Sequence, residues 1–542
     1  MSEGAPARSP EARAGPEGAR PGGPSLERPS EEPRGDEERV AETEESPRFA
    51  ELVAARRDKL ARMRERGEDP YPVRFVPTHA LAEVRDAWSH LPPGSQTGES
   101  VTVAGRLTTK RGHGKLHFAV VREASVDLQL FCELATLGED GLAFFDELDL
   151  GDWVGAEGEV ITTRRGELSV RASRITLLAK SLQPLPEKYH GLRDVEQRYR
   201  RRELDLITNP ETRDAFLIRS SVVSALRRKL DAKGFLEVET PMLHPTPGGA
   251  AARPFVTHHN ALNLDLYLRI APELYLKRLI VAGFPRLYEL NRSFRNEGMS
   301  PRHNPEFTML EAYQAYADYH DMMDLTAALV QAAAKDAVGT LELAYQGRRV
   351  SLAGSWPRRD MLGLVRAATG RADLDYDTPV AELRQLCMTS GVAFEPAWGS
   401  GKLVSELYER LVEPQLWEPT FVVDHPLETS PLARRHRSKP HVVERFELVA
   451  VGRELANAFS ELTDPDDQRA RFEAQAAARA AGDEDAMLID ETYLTALELG
   501  LPPTGGLGIG VDRLVMLLAD VPSIRDAILF PTMRPESPPS PS

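Results

Sequence analysis

The sequence predicts an α+β protein in which a small β-barrel precedes a larger mixed domain, and three observations carry that expectation. Residues 99–180 contain five or so short runs in which apolar and polar side chains alternate, among them Val101–Val103, Phe118–Val120 and Val126–Leu130, with turns marked by Gly112, Gly114, Gly151 and Gly166. A period of two is the mark of a half-buried strand, and about five such strands in so short a stretch suit a closed barrel of the oligonucleotide-binding type. Beyond residue 208, helical and strand-like periods are mixed, starting with Phe216, Ile218, Val222, Val223, Leu226 and Leu230 along one long helix. Finally, residues 294–313 (FRNEGMSPRHNPEFTMLEAY) place alternation on both sides of a turn containing Gly298, Ser300 and Pro301.

Composition narrows the function classes. The 542 residues suffice for two or three domains, and 67 basic against 83 acidic side chains leave a net charge of −16. That balance argues against a general nucleic-acid coat, though not against a local basic face. Only Cys132 and Cys387 are present, too few for a disulfide framework or a thiolate metal site, which fits a reducing cytoplasm. No apolar run approaches a membrane span, and the N-terminus lacks the apolar core of a secretory signal.

Taken in order, residues 1–46 form a tail of Pro, Gly, Glu, Arg and Ser, too poor in apolar side chains to order itself. Residues 47–98 hold a basic amphipathic helix and a linker. Arg56, Arg57, Lys59, Arg62 and Arg64 lie off its apolar face and suit either RNA phosphates or solvent. The barrel occupies 99–182. Its basic first hairpin (Arg106, Lys110, Arg111, Lys115), with Phe118 and Gln129 nearby, could hold single-stranded bases by stacking and edge contacts. Spacing alone, however, favours Phe118 as core. A hinge covers 183–208, where RYRRR (198–202) suggests a nearby anion or a solvated charge run.

The large domain spans 209–534. Asn209-Pro210 starts its long helix and Gly234 stops it. FLEVETPML (235–243) reads as a strand halted by Pro241, PGGAAARPF (247–255) as a flexible loop, and 271–290 as helix then strand. Asp318 caps a helix to about Val338, and residues 340–445 are a less informative α/β region. RFELVAVGRELANAFSEL (445–462) gives strand, turn at Gly452, strand. An Ala-rich helix follows over 465–481, and GGLGIGVDRLVMLLAD (505–520) is a glycine-rich strand entering an apolar helix. A polar tail ends the chain at 535–542.

The chemistry concentrates in few places. Arg295 and Glu297 share one side of an extended segment. Arg302 and His303 sit on the turn, and Phe307, Met309, Glu311 and Tyr313 alternate after it. A guanidinium fork, a histidine and an aromatic face suit a nucleotide triphosphate beside a carboxylate. The GLGIG strand lets backbone approach a ligand, and Arg513 at the following helix start can meet phosphates, but neither a P-loop nor a dinucleotide fingerprint is present. Glu447 and Glu454 could hold magnesium between phosphates, or be ordinary exposed acids.

With these pieces in order, the chain resembles the class II lysyl-tRNA synthetases of the bacterial type over about residues 49–535. The resemblance rests on the 209–241 helix and strand, on FRNEG…RHNPEFTMLE and on GLGIGVDR. It is reinforced by PGGAAARPF, APELYLKRL, SPLARR and RELANAFSE. It implies an antiparallel-sheet catalytic domain behind an OB-fold anticodon-binding domain. Such enzymes join L-lysine to ATP with Mg2+, release pyrophosphate and pass the lysyl group to tRNA(Lys), generally as cytoplasmic homodimers.

The resemblance also implies site roles. Arg295 bridges the amino-acid carboxylate and the α-phosphate. Glu297, His303, Asn304, Phe307, Glu454, Gly510 and Arg513 bind ATP, with Phe307 stacked on adenine. Glu447 and Glu454 hold the metal. Glu273 takes the α-ammonium with help from the Gly249 backbone, while Glu311, Tyr313, Asn457, Phe459 and Glu461 surround the side chain. Phe118, Gln129 and Glu167 read the anticodon. One departure is that Ala456 and Ala458 stand where glycines are common, so their methyls are expected to tighten the amino-acid pocket slightly. Two other classes compete: a protein-modifying lysyl ligase, which lacks the barrel, and a catalytically silent RNA-binding paralogue.

Overall fold

A computed structural model of the chain describes residues 47–186, 192–480, 482 and 486–536. The expected tail at 1–46 and most of the one at 535–542 lie outside the described residues.

The first helix, Pro47–Glu65, buries Arg56, Leu60 and Met63 along one stripe. The expected RNA-facing or solvated role fails for two of its basic residues. Arg56 donates to the carbonyls of Gln183 (2.8 Å), Leu150 (3.0 Å) and Ser181 (3.2 Å), and Lys59 pairs with Asp149 at 2.6 Å. Both lie on the stripe that packs against the barrel, so they fasten the helix to it.

Strands Gln96–His113, Leu116–Glu123, Val126–Glu133, Trp153–Thr162 and Leu168–Ala179 close the barrel in the order first, second, third, fifth, fourth. Val101, Val103, Leu107, Leu128, Leu130, Val160 and Val170 fill it. Leu134–Glu147, absent from the sequence expectation, follows the third strand as two helical segments separated at Gly138 (φ 71°), and the second buries Leu142 and Phe145.

In the connector, RYRRR spans two short helices, Val195–Arg200 and Arg202–Thr208. The anion it suggested is the chain's own. Arg198 and Arg202 pair with Asp205 at 2.9 and 2.6 Å, Arg200 with Glu196, and Arg201 with Glu203. Arg202 is fully buried and also donates to the carbonyls of Arg525 and Leu529.

The large domain is built on an eight-stranded sheet. Its order is Arg358–Asp360, Thr420–Val423, Arg445–Ala450, Arg453–Ser460, Thr504–Gly510, Glu306–Ala315, Arg286–Phe294, Leu236–Glu237. The six inner strands are antiparallel, and the two outermost pair parallel. Helices Pro210–Ala232, Tyr319–Val338 and Val511–Leu518 contribute to the core on one face, with Tyr288, Leu310, Ala312, Leu507 and Ile509 beneath them. Asp318 caps the second of these by accepting the His320 and Asp321 amides. Ala456 and Ala458 belong to this core, and Ala458 does not border the cavity on the opposite face. The tightening expected of the Ala458 methyl therefore falls on helix packing, while Ala456 also touches the cavity.

The expected strand 235–243 is reduced to Leu236–Glu237 and Leu243–His244. Proline at 241 has no amide to donate, and the Thr240 carbonyl and hydroxyl accept from the buried Arg269 instead of continuing a ladder. Residues 340–445 include helices Met361–Thr369, Val380–Thr389 and Ser400–Leu411, which share a separate core with Val422 and Val449. Among the described residues no helix is long and apolar enough to cross a membrane.

Candidate active site

The face opposite the helices carries a cavity of about 320 Å³. Because strand side chains alternate, Phe307, Met309, Glu311 and Tyr313 all point to it. Register then assembles rows across the sheet. Tyr313, Gly506 and Phe459 form one, and Glu311, Gly508, Asn457 and Glu447 the next. The middle strand contributes glycine to both. At Gly506 a Cβ would overlap Glu461 Oε1 and lie 2.7 Å from Tyr313 Cε1, so only hydrogen fits.

One end of the cavity is acidic. Glu273, Glu311 and Glu461 are all buried. The Tyr313 hydroxyl donates to Glu311 at 3.0 Å. Burial and then Glu273 push the Glu311 carboxyl up to about 8, with the Tyr313 hydrogen bond opposing. Gly249, with φ of +88°, brings its backbone alongside Glu273. Lys277, one helical turn beyond Glu273, is fully buried. It donates to Glu273 at 2.5 Å and forms an ion pair with Glu461. Glu461 is thus held behind Gly506 and Tyr313, and it does not itself border the cavity.

The other end is basic. Backbone pairing extends one bond past the strand, from the Arg295 amide to the Pro305 carbonyl (2.9 Å), so Arg295 opens the loop instead of lying in the ladder. Its guanidinium lies 5.1 Å from the Phe307 ring centroid. Its Nε is sealed from solvent with no hydrogen-bond partner among the described residues, and burial lowers its pKa. Arg513, two residues into the helix capped by Gly510, donates to the carbonyl (2.9 Å) and carboxylate (3.1 Å) of Glu454. Its other nitrogen lies 3.2 Å from His303 Nε2. Desolvation, then Arg513, Arg295 and Arg302, depress the His303 pKa, which keeps the ring neutral and able to accept that contact. Glu297 also lines this end, and Asn304 donates to the Glu306 carbonyl at 2.6 Å.

Glu447 lies at the margin. Arg445 donates to it at 2.7 Å and to Asn457 Oδ1 at 2.9 Å. Burial pushes the Glu447 carboxyl up to about 8; Arg445 opposes this, and Glu454, Glu413 and Glu409 add to it. Expected residues Gly249, Glu273, Arg295, Glu297, His303, Asn304, Phe307, Glu311 and Tyr313 therefore converge with Glu454, Asn457, Phe459, Gly510 and Arg513 on one cavity. Glu447 and Glu461 sit beside it.

Several functional positions escaped the sequence reading. Asp512 accepts from the Thr308 amide at 2.6 Å and from Arg219 at 2.5 Å, which ties the long helix, the second hairpin strand and the helix Val511–Leu518 together beneath Arg513. Its position just before Arg513 was the available signal. Lys277 and Arg445 each have one near partner, Glu273 and Glu447, but the contacts that tie them to the site, to Glu461 and Asn457, come from residues farther along the chain.

On the barrel, Phe118 is half-buried and points outward, against the core expectation from spacing. Phe131 meets it edge-on at 5.4 Å, and the Arg111 guanidinium lies 5.6 Å from its centroid. Gln129 is buried, donates to Ser169 Oγ at 2.9 Å and accepts from Arg111 at 3.1 Å. Ser169 in turn donates to the carbonyl of Glu167, whose exposed carboxylate lies 3.8 Å from Arg85. The three expected residues thus share one connected patch.

A nucleotide-sized cavity on an antiparallel sheet, flanked by two arginines and preceded by an OB barrel, agrees with the sequence families. Residues 194–534 match the family of tRNA synthetases class II (D, K and N), and residues 101–178 match the OB-fold nucleic acid binding domain. The chain belongs to the class II tRNA synthetases of this group. Within it, the chain is similar to the lysine–tRNA ligase of Carboxydothermus hydrogenoformans, with 54% identity over 488 residues, 90% of this chain and 98% of the relative. Lysine–tRNA ligases of Moorella thermoacetica (52%, 90% and 98%) and Synechococcus sp. strain RCC307 (54%, 90% and 97%) are similarly close.

Proposed function

We propose that the protein is a cytoplasmic lysine–tRNA ligase that activates L-lysine with ATP and transfers it to tRNA(Lys). The observation that carries this reading is the polarity of one cavity: the buried carboxylates of Glu273 and Glu311 at one end, backed by Glu461, and Arg295 with Arg513 at the other. Buried acids favour a substrate with ammonium groups and disfavour neutral analogues that would leave them unpaired.

Catalysis is positioning and charge neutralisation. Arg295 holds the lysine carboxylate against the α-phosphate. A carboxylate oxygen forms the new bond to phosphorus as the bond to pyrophosphate breaks. Phe307 stacks on adenine, Arg513 covers its other side and meets the γ-phosphate, and Glu297, His303 and Asn304 contact the nucleotide. In the second step a terminal ribose hydroxyl of the tRNA attacks the acyl carbon, and AMP leaves. Glu273 takes the α-ammonium with the Gly249 backbone beside it. Glu311, Tyr313, Asn457, Phe459 and Glu461 form the side-chain pocket.

Glu447 and Glu454 suit a Mg2+ ion. Their donors are oxygens only, and Glu413 and Glu409 add negative charge beside them, against which Arg445 and Arg513 stand. When bound, the ion neutralises phosphate charge. Phe118, Gln129 and Glu167 read the anticodon. Leu217, Leu236 and Leu243, exposed on and after the long helix, support a homodimer.

The test is ATP–pyrophosphate exchange across all amino acids, then charging of lysine tRNA. Exchange with lysine followed by charging is expected. Exchange without charging would favour a protein-modifying ligase, and no exchange would sink the enzyme reading.

A further inference from the structure

The acidic end of the cavity does not balance in charge. Glu273, Glu311 and Glu461 are buried together, and Lys277 is the cation that pairs with them; the buried Arg269 also acts on Glu311, but it is neutralised by its own partner Glu289 at 2.7 Å. Arg445 acts on Glu273 from outside, but its donors are committed to Asn457, Ser430, Thr429 and Glu447. Glu311 has the Tyr313 hydroxyl as its hydrogen-bond donor, which carries no charge. Glu461 is likewise fully buried and pairs with Lys277.

Lys277 is also held in place. Its ammonium lies 5.4 Å from the Phe459 ring centroid and 5.9 Å from that of Tyr493, and none of the side chain reaches solvent. Phe459 borders the cavity, whereas Lys277 and Tyr493 lie behind it. A substrate therefore meets Glu273 and the Phe459 ring on the cavity side while Lys277 fixes both from behind.

We infer that Lys277 is a positioning residue of the amino-acid site: locked between Glu273 and Glu461, it sets their separation and, once all three carboxylates are ionised around bound substrate, leaves the site two positive charges short, which selects an amino acid carrying two ammonium groups. The inference rests on the proposed function and adds a residue that never touches substrate. Three carboxylates with no resident cation would call for a third positive charge that lysine lacks. Three with one cation match the α- and ε-ammonium groups, and the substrate carboxylate is left to Arg295.

The test is Lys277→Met, which keeps length and apolar volume but removes the charge, studied by ATP–pyrophosphate exchange with lysine and ATP titrated separately, alongside a thermal melt. Lysine KM is expected to rise about tenfold or more, while ATP KM and kcat at saturating lysine change by less than about threefold. A purely structural ion pair would lower the melting temperature and the active fraction and leave lysine KM unchanged, and that result overturns the inference. Should the variant fail to fold, Tyr493→Leu removes one ring beside the ammonium without altering charge. It should raise lysine KM alone, by about threefold, and an unchanged KM again overturns the inference. Absence of lysine-dependent exchange in the wild-type protein would instead bring down the proposed function, and this inference with it.

Discussion

On the barrel, Phe118 stands half-exposed with Arg111 over its face, and the amide of Gln129 already has partners in Arg111 and Ser169. In the cavity, Glu273, Glu311 and Glu461 are buried behind glycine and aromatic neighbours, and no solvent can replace a lost partner. The first surface can exchange one set of contacts for another at modest cost. The second has its acids and rings locked in place before any ligand arrives. Removing one member of a buried charge set costs about 3–5 kcal/mol, whereas a stacked base is worth about 1–3 kcal/mol.

That contrast orders the expected effects. Arg513→Ala should slow lysine-dependent exchange by about 100- to 1000-fold with the melting temperature near wild type; near-normal exchange would remove Arg513 from the catalytic set. Gly506→Ala should cost about 100-fold in the same assay, because the new methyl displaces Glu461 and Tyr313 from their row. An unaltered lysine KM there would show that the acidic end tolerates movement as the barrel does. Phe118→Ala should leave exchange untouched and lower charging efficiency by roughly 5- to 150-fold, the range set by about 1–3 kcal/mol of stacking. Equal charging by this variant and wild type would return the ring to a packing role.

The smallest effect is a pH dependence. Burial pushes Glu311 up to about 8, so the free protein carries a proton there at neutral pH. An ammonium needs the ionised carboxylate, so lysine binding releases that proton, and lysine KM should fall severalfold as pH rises from about 6.5 to 8. In the unfolded chain the same group ionises near 4.3. The folded state therefore binds more protons between those values, and this residue's contribution to stability declines as pH rises through that window. A flat KM profile in Glu311→Gln against a sloping one in wild type would assign the effect.

Much of this was legible in the sequence because it is local. Alternation around Gly298–Pro301 gives the hairpin and places Glu311 and Tyr313 on one face. Five alternating runs give the barrel, and Gly510 before Arg513 gives a strand feeding a helix start. Long-range pairing was not legible. Nothing near Lys277 points to Glu461, and nothing near RYRRR shows that carbonyls of the C-terminal segment accept from Arg202. Arg56 looked like a surface cation because the carbonyls that hold it lie about 90–130 residues away. The 235–243 segment carried strand propensity, but Pro241 and the claim of Arg269 on Thr240 cut it short.

The order of strands in the large sheet also bears on how the protein is made. Thr504–Gly510 lies between Arg453–Ser460 and Glu306–Ala315, yet it is the last of the eight to leave the ribosome. Until then the nascent chain has two facing strands with unpaired edges and a barrel whose strands are already complete. A transcript that stops short of residue 504 would release a chain with an open gap through the centre of its sheet, a template for pairing with other chains. The cavity too is incomplete before synthesis is nearly finished, since Gly506, Gly508 and Arg513, all part of its lining, belong to that final segment.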